Sequence, residues 1–242
     1  MEFTYKAYID LINLVKSNGY MISDYDKYDN HEKSVILRHD VDMSLEKAKE
    51  FSEIENENGV SSTYFILLTS DFYNIFSKKS NELIKQIITD GNSIGLHFDE
   101  TRYNCSTVSD IENKILEEKN ILENYLEIEI NSVSMHRPSK LVLDNDIQVE
   151  GLINTYAKEF FTDIKYVSDS RMNWRENVED VIVSNTNNKI QLLTHAFWYN
   201  ETNIPIKDIF IQHFKKTRRN EYNKFDDNIK LFDDIIKYSE IR

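Results

Sequence analysis

The chain has 242 residues, 40% of them hydrophobic and 12% aromatic, which is ample for a large packed core and excludes a disordered chain. Its formal charge is −13 and its one basic cluster, KKTRR at 215–219, is short, so a general binder of nucleic acid is excluded. Cys105 is the only cysteine, which excludes an intrachain disulfide and a cysteine-built zinc knuckle. No apolar run reaches 18 residues, and the first twenty residues lack the basic-then-apolar layout of a signal peptide. A cytoplasmic protein without membrane insertion is the expectation.

In chain order, an amphipathic segment, LINLVKSNG, ends at Gly19 and is followed by YMIS. A core strand is predicted over Val35–Arg38. The next segment, FSEIENENG, ends at Gly59 and leads into a strand at Thr63–Leu68. Leu83, Ile84, Ile87 and Ile88 form a helical stripe closed by Gly91, and a strand follows at Ser93–Leu96. A glycine after a helix can close its last turn in the left-handed conformation, and three copies of helix–Gly–strand predict repeated αβ units around a largely parallel sheet. Ile111, Ile115, Leu122 and Tyr125 predict a helix opened by a capping box from Ser109 to Glu112. Further strands are predicted at Ser132–Met135, Tyr166–Ser168 and Ile190–Thr194, and a last helix carries Phe225, Ile229, Phe232 and Ile236 on one face. The strands are short and several are apolar on both faces, as strands under helices are. The fold class read from this pattern is α/β, a single domain over 1–242 of (β/α)-barrel type. A helix at 5–18 and a helical segment at 206–240 pack on it, and an open doubly wound sheet is the alternative.

The polar residues that break this pattern stand at the ends of strands. VILRHDVDMS finishes in Asp40 and Asp42, SIGL in His97, SVSM in His136 and Arg137, YVS in Asp169 and QLLT in His195. In a parallel α/β domain those ends meet on one rim. Asp40 and Asp42, two apart on an extended segment, point the same way, which is unfavourable unless a cation lies between them. Asp42 has a rival use as the cap of a helix beginning near Ser44, and His195 could instead stack within the aromatic run HAFWY. Carboxylate and imidazole without thiolate suit zinc and other divalent first-row metals, and three protein ligands with an open position make a catalytic centre. A spare carboxylate and a spare imidazole then provide a base and an acid, the equipment for metal-assisted hydrolysis of an amide or ester.

RHDVD, STYFIL, GNSIGLHFDE, HRPS and LLTHAFWY, in this order over residues 33–200, resemble the motifs of the polysaccharide deacetylase (NodB-like, carbohydrate esterase family 4) superfamily. The resemblance implies a distorted, incomplete (β/α) barrel that removes acetyl groups from sugars with a divalent metal, zinc first and cobalt or nickel as substitutes. It implies Asp40 as general base, Asp42 and His97 as metal ligands, Arg137 as the residue that orients and polarises Asp40, and His195 as general acid or as a group that stabilises the neighbourhood of the developing oxyanion. Its second motif holds two histidines four apart, whereas position 101 here is Thr101, and Val41 stands where a second adjacent Asp is usual. A third ligand then comes from elsewhere, or the metal is held weakly or is absent; His136 is the first candidate, followed by Asp99, Glu100 and His39. Phe197, Trp198 and Asp169 are the expected substrate-binding residues, with the rings able to stack on a sugar. The expected partner is an acetylated sugar or sugar conjugate, such as a nucleotide- or lipid-linked amino sugar. The competing reading is a catalytically degenerate deacetylase-fold protein that binds a carbohydrate or a protein partner.

Overall fold

Each strand alternates between two faces, and both faces of the central strands are covered, so every residue of Ser34–Val41 and Thr63–Leu67 is buried. The computed structural model describes residues 1–241, in two compact units, Met1–Glu201 and the segment from Thr202 on. The first unit runs α1 (Tyr5–Ser17), β1 (Met21–Ser23), β2 (Ser34–Val41), α2 (Leu45–Glu57), β3 (Thr63–Leu67), α3 (Lys78–Thr89), β4 (Ser93–Phe98), α4 (Val108–Leu126), β5 (Ser132–Met135), α5 (Lys140–Leu143), β6 (Ile153–Asn154), β7 (Lys165–Ser168), α6 (Val178–Ser184) and β8 (Lys189–Thr194). All strand pairs are parallel, in the order β6-β5-β4-β3-β2-β8-β7, with β1 beside the first half of β2.

The sheet is curled. Gln191 of β8 donates through Nε2 to the carbonyls of Thr155 (3.3 Å) and Phe160 (2.8 Å), just past β6. In a flat sheet β6 and β8 would stand about 24 Å apart, five strand spacings. Only closure toward a barrel brings them within reach of one side chain. β6 and β7 are the two ends of the order and do not pair, so the barrel is incomplete. The interior is plugged near the strand N-termini by Tyr25, Ile36, Phe65 and Phe160. Gly95 of β4 makes room for this plug, because a Cβ there would lie 2.4 Å from the Phe65 ring. Outside, Val35, Leu37, Val167, Ile190 and Leu192 pack under Leu11 and Val15 of α1 and Val178 and Ile182 of α6. Each such burial contributes about 1.5–3 kcal/mol.

The helix–Gly–strand units are present: Gly19, Gly59 and Gly91 follow α1, α2 and α3 with φ of +81°, +61° and +93°. Two local expectations are corrected. The capping box of α4 is Thr107 with Asp110, not Ser109 with Glu112, because Asp110 accepts from the backbone of Ser106 (3.0 Å) and Thr107 (2.9 Å) and so starts the helix two residues earlier. Helix α2 is capped by Ser44, whose hydroxyl accepts from Lys47 N–H (3.3 Å), which leaves Asp42 uncommitted.

The second unit contains α7 (Ile206–Asn228) and α8 (Phe232–Ile235). The predicted common face through Phe225, Ile229, Phe232 and Ile236 does not form, because the helix ends at Asn228 and Leu231 takes φ +61°. Instead the chain turns back, Phe232 stacks on Phe225 with centroids 5.7 Å apart, and Tyr222 OH donates to Asp233 and to the Ile236 carbonyl, both at 2.7 Å. Among the described residues no helix is long and apolar enough to cross a membrane.

Candidate active site

β2 sets the site by alternation. Ile36, Arg38 and Asp40 face the barrel interior, and Val35, Leu37, His39 and Val41 face outward. Asp42 follows on the inner side at the rim. The β4–β5 register pairs His97 with Ser134, so His136, two residues further, rises on the same face as His97. The His136 N–H still bonds to the Phe98 carbonyl (2.7 Å), which extends the ladder to the rim. At the end of β8, Leu193 and His195 face inward and Thr194 outward. Asp40, Asp42, His97, His136 and His195 thereby line one cavity of 960 Å³, together with Trp198, Arg137, Arg171 and Arg175.

Three donors converge there. His97 Nε2 lies 3.0 Å from Asp42 Oδ1, His136 Nδ1 lies 3.3 Å from the same oxygen, and the two ring nitrogens are 3.2 Å apart. His97 Nδ1 donates to the Ser134 carbonyl (3.0 Å), which leaves Nε2 directed at the other two donors. Edges of 3.0–3.3 Å are those of a coordination polyhedron whose centre lies about 2 Å from each vertex, the span of zinc–nitrogen and zinc–oxygen bonds. The donor set therefore fits a divalent first-row metal, and Asp42, His97 and His136 could hold one. Burial works to raise the Asp42 carboxyl, but hydrogen bonds from His136 and His97 hold it well below the usual carboxylate range. Burial likewise works against a charged His97, yet Asp40 and Asp42 raise it.

Asp40 lies 4.0 Å from His97 Nε2, deeper in the cavity. Its Oδ2 pairs with Arg38 Nη2 at 3.3 Å, and Ser134 Oγ donates to both carboxylate oxygens at 3.2 Å. Arg38 is fully buried, bonds Gln191 through Nη1 (3.3 Å), and sits between the rings of Phe65, Tyr156 and Tyr166 at 5.2–5.7 Å. On the opposite side, His195 Nδ1 donates to Asp169 Oδ1 (2.6 Å) and the His195 backbone N–H to Asp169 Oδ2 (3.1 Å). His195 Nε2 is thus turned into the cavity, 4.0 Å from Asp42. Burial pulls the His195 imidazole down, but the Asp169 carboxylate outweighs it and holds the ring at about 9.

Several sequence expectations are corrected. The guanidinium on Asp40 belongs to Arg38, not Arg137: the two-residue period of β2 puts Arg38 beside Asp40, while Arg137 leaves β5 at φ +50° and is exposed on the rim. Asp169 is fully buried against His195 and has no surface to offer a substrate. Phe197 does not line the cavity; in the short turn Ala196–Trp198 successive side chains diverge, and Trp198 alone faces in, with the Phe197 ring packed on it at 5.2 Å. The rival third ligands are elsewhere. Asp99 caps the turn at Thr101, Glu100 accepts from Ser139, and His39 points outward to Thr194 and Glu55. Arg38, Ser134, Arg171 and Arg175 were not singled out in advance; for Arg38 the signal was present, since it stands two residues before Asp40 on the same strand.

No protein-family model matches the chain, and no curated protein sequence does. Solved structures are similar to it. One is the chitin deacetylase of the fungal pathogen Colletotrichum lindemuthianum, at 14% identity, covering 82% of this chain and 86% of that one, with a TM-score of 0.49. Another is the CE4 domain of a multidomain xylanase from the hindgut metagenome of Trinervitermes trinervoides, at 14% identity and 80% and 85% coverage, with a TM-score of 0.43. A third is a CE4 family pseudoenzyme from Bacillus anthracis, at 13% identity and a TM-score of 0.45; 77% of this chain is covered but only 62% of that one. With its parallel order, open seam and interior plug, this chain is a distorted, incomplete (β/α) barrel.

Proposed function

We propose that the protein is a metal-dependent hydrolase that removes an N- or O-linked acetyl group from a small sugar or sugar conjugate. The observation that carries this reading is the convergence of Asp42, His97 and His136 donors at 3.0–3.3 Å, beside a carboxylate and an imidazole on the same cavity. Asp42, His97 and His136 would hold a divalent metal, zinc in the first instance, which would supply Lewis acidity toward an acyl carbonyl and the attacking water. Asp40, anchored by Arg38 and Ser134, takes the proton of the attacking water. The water oxygen bonds to the acyl carbon and the carbon–nitrogen or carbon–oxygen bond to the sugar breaks. His195, its Nδ1 held by Asp169, delivers a proton from Nε2 to the departing amine or alcohol. Trp198 walls the cavity where a sugar ring can stack. A reducing, cytoplasmic setting goes with the single unpaired cysteine.

The test is metal content and acetate release together. Purified protein should carry one divalent metal per chain, lost in His97→Ala and Asp42→Ala, and should release acetate from a member of a panel of acetylated sugars. No acetate from any of them with Zn²⁺, Co²⁺ or Ni²⁺ added would sink the hydrolase reading.

A further inference from the structure

The cavity's charged groups cancel in pairs until three arginines remain. Asp40 is matched by Arg38 and Glu176 by Lys165 (2.7 Å), while Asp42 belongs to the metal donor set. Arg137, Arg171 and Arg175 line the same cavity, and among the described residues none has a hydrogen-bond or ion-pair partner. The chain carries 42 acidic residues against 29 basic ones, so three unneutralised cations in one concavity run against its overall charge. The type of cation is selective as well. Of those 29 only eight are arginine, yet the cavity holds three arginines and no lysine. A planar guanidinium fork matches the paired oxygens of phosphate or carboxylate, which a point-charge ammonium does not.

The backbone adds an independent observation. Six residues other than glycine have φ in the left-handed region. Glu127 and Asn185 are helix C-caps and Leu231 opens α8, positions where that conformation has a local reason. The other three are Arg137 (φ +50°) after β5, and Arg171 (φ +61°) with its neighbour Met172 (φ +54°) after β7; both arginines line the cavity, and these strands stand next to and at the open seam. A left-handed residue other than glycine is strained, and such outliers gather where side chains clamp a ligand.

We infer that Arg137, Arg171 and Arg175 form an anion subsite at the seam side of the cavity mouth, and that the acylated sugar carries a phosphate or carboxylate that docks there. This rests on the hydrolase reading only for the sugar; the subsite itself is read from charge and backbone. Arg137 becomes a substrate-binding residue and leaves the anchoring of Asp40 to Arg38.

Calorimetric titration tests it with N-acetylglucosamine, its 1-phosphate, its 6-phosphate and N-acetylmuramic acid, whose carboxylate separates the two anion types. At least one charged sugar should bind tenfold or more tightly than N-acetylglucosamine, with the preference shrinking between 50 and 500 mM salt, on the order expected as screening tightens. In the triple variant R137Q/R171Q/R175Q the ratio of charged to neutral affinity should fall to within about twofold. Should the triple variant not fold, R175Q and R171K replace it. R175Q should weaken only the charged sugars severalfold, and R171K, which keeps the cation, should weaken them less. Equal affinities in the wild type overturn the subsite. So does a charge preference that survives the arginine substitutions, since it then belongs to another group. Acetate is assayed in the same samples. Arginine-dependent binding without acetate leaves the subsite standing and removes the hydrolase reading, whereas acetate release together with equal affinity for charged and neutral sugars does the reverse.

Discussion

His39 and Asp40 are neighbours on β2, both buried and both partnered by ionisable groups, yet they belong to opposite regions of the molecule. On the outer face His39 meets Glu55 of α2, and that carboxylate also accepts from Tyr8 (2.5 Å), Tyr64 (2.7 Å) and Ser62 (2.8 Å). Every oxygen of Glu55 is used and nothing is open to solvent. On the inner face Asp40 is anchored from below by Arg38 and Ser134 and opens above into the cavity. A buried charge with partners therefore marks no site by itself. What separates the two is access together with convergence from several strands. The outer network ties α1, α2 and the sheet together, and the inner one directs its donors into the cavity.

Substitutions can break this contrast. The largest expected effect is on the inner side: Asp40→Asn should lower the rate of acetate release by about 10²–10⁴-fold, the usual share of a general base, and should also lower the chemical-denaturation midpoint, because the buried Arg38 guanidinium loses its carboxylate. A full-rate Asp40→Asn enzyme would move the base elsewhere. Next, Glu55→Gln should destabilise by about 3–5 kcal/mol in urea titration by breaking a buried pair, and leave metal content unchanged. If metal were lost with it, the two faces would not be separable. Burial works to raise Glu55, but His39, Tyr8 and Tyr64 lower it. Its contribution to stability is therefore present above the unfolded carboxyl value of 4.5 and is lost as pH falls through the lower folded one.

Glu118 of α4 gives the opposite sign. Burial pushes its carboxyl up to about 7, with a hydrogen bond from Tyr103 pulling the other way. The folded protein keeps this proton to higher pH than the unfolded chain. Stability is thus greatest below 4.5 and is lost as pH rises through about 7, by roughly 3 kcal/mol. Melting temperatures from pH 4 to 8 should reveal the decline, and Glu118→Gln should flatten it; an unchanged slope in that variant would assign the decline to another group. The smallest effect is expected far from both networks. Thr107→Ala removes one side of the α4 capping box and should cost about 1 kcal/mol without altering metal content or acetate release.

How much was legible in advance depends on how local each feature is. The parallel sheet followed from glycines that close helices before apolar runs, and the strand-end positions of Asp40, Asp42, His97, His136 and His195 followed from where those runs stop. Arg38 was also legible, since the alternation that pairs Asp40 with Asp42 puts Arg38 on the same face. The capping box slipped by two residues because Thr107–Asp110 and Ser109–Glu112 both carry the right residue types, and only backbone geometry distinguishes them. The predicted last helix failed because Leu231 leaves the right-handed region, which no periodicity announces.

The sequence alone determined what is periodic or adjacent: the αβ succession, the strand-end carboxylates and imidazoles, and the net acidic charge. Only the tertiary structure decided which of them meet. That His136 rather than Asp99, Glu100 or His39 stands with Asp42 and His97 depends on the β4–β5 register and on the outward face of His39. That Asp169 holds His195 depends on the β7–β8 pairing, and that three arginines from two loops share one cavity depends on the curl of the sheet. Register and curl are set by contacts between residues far apart in the chain, so no window of sequence contains them.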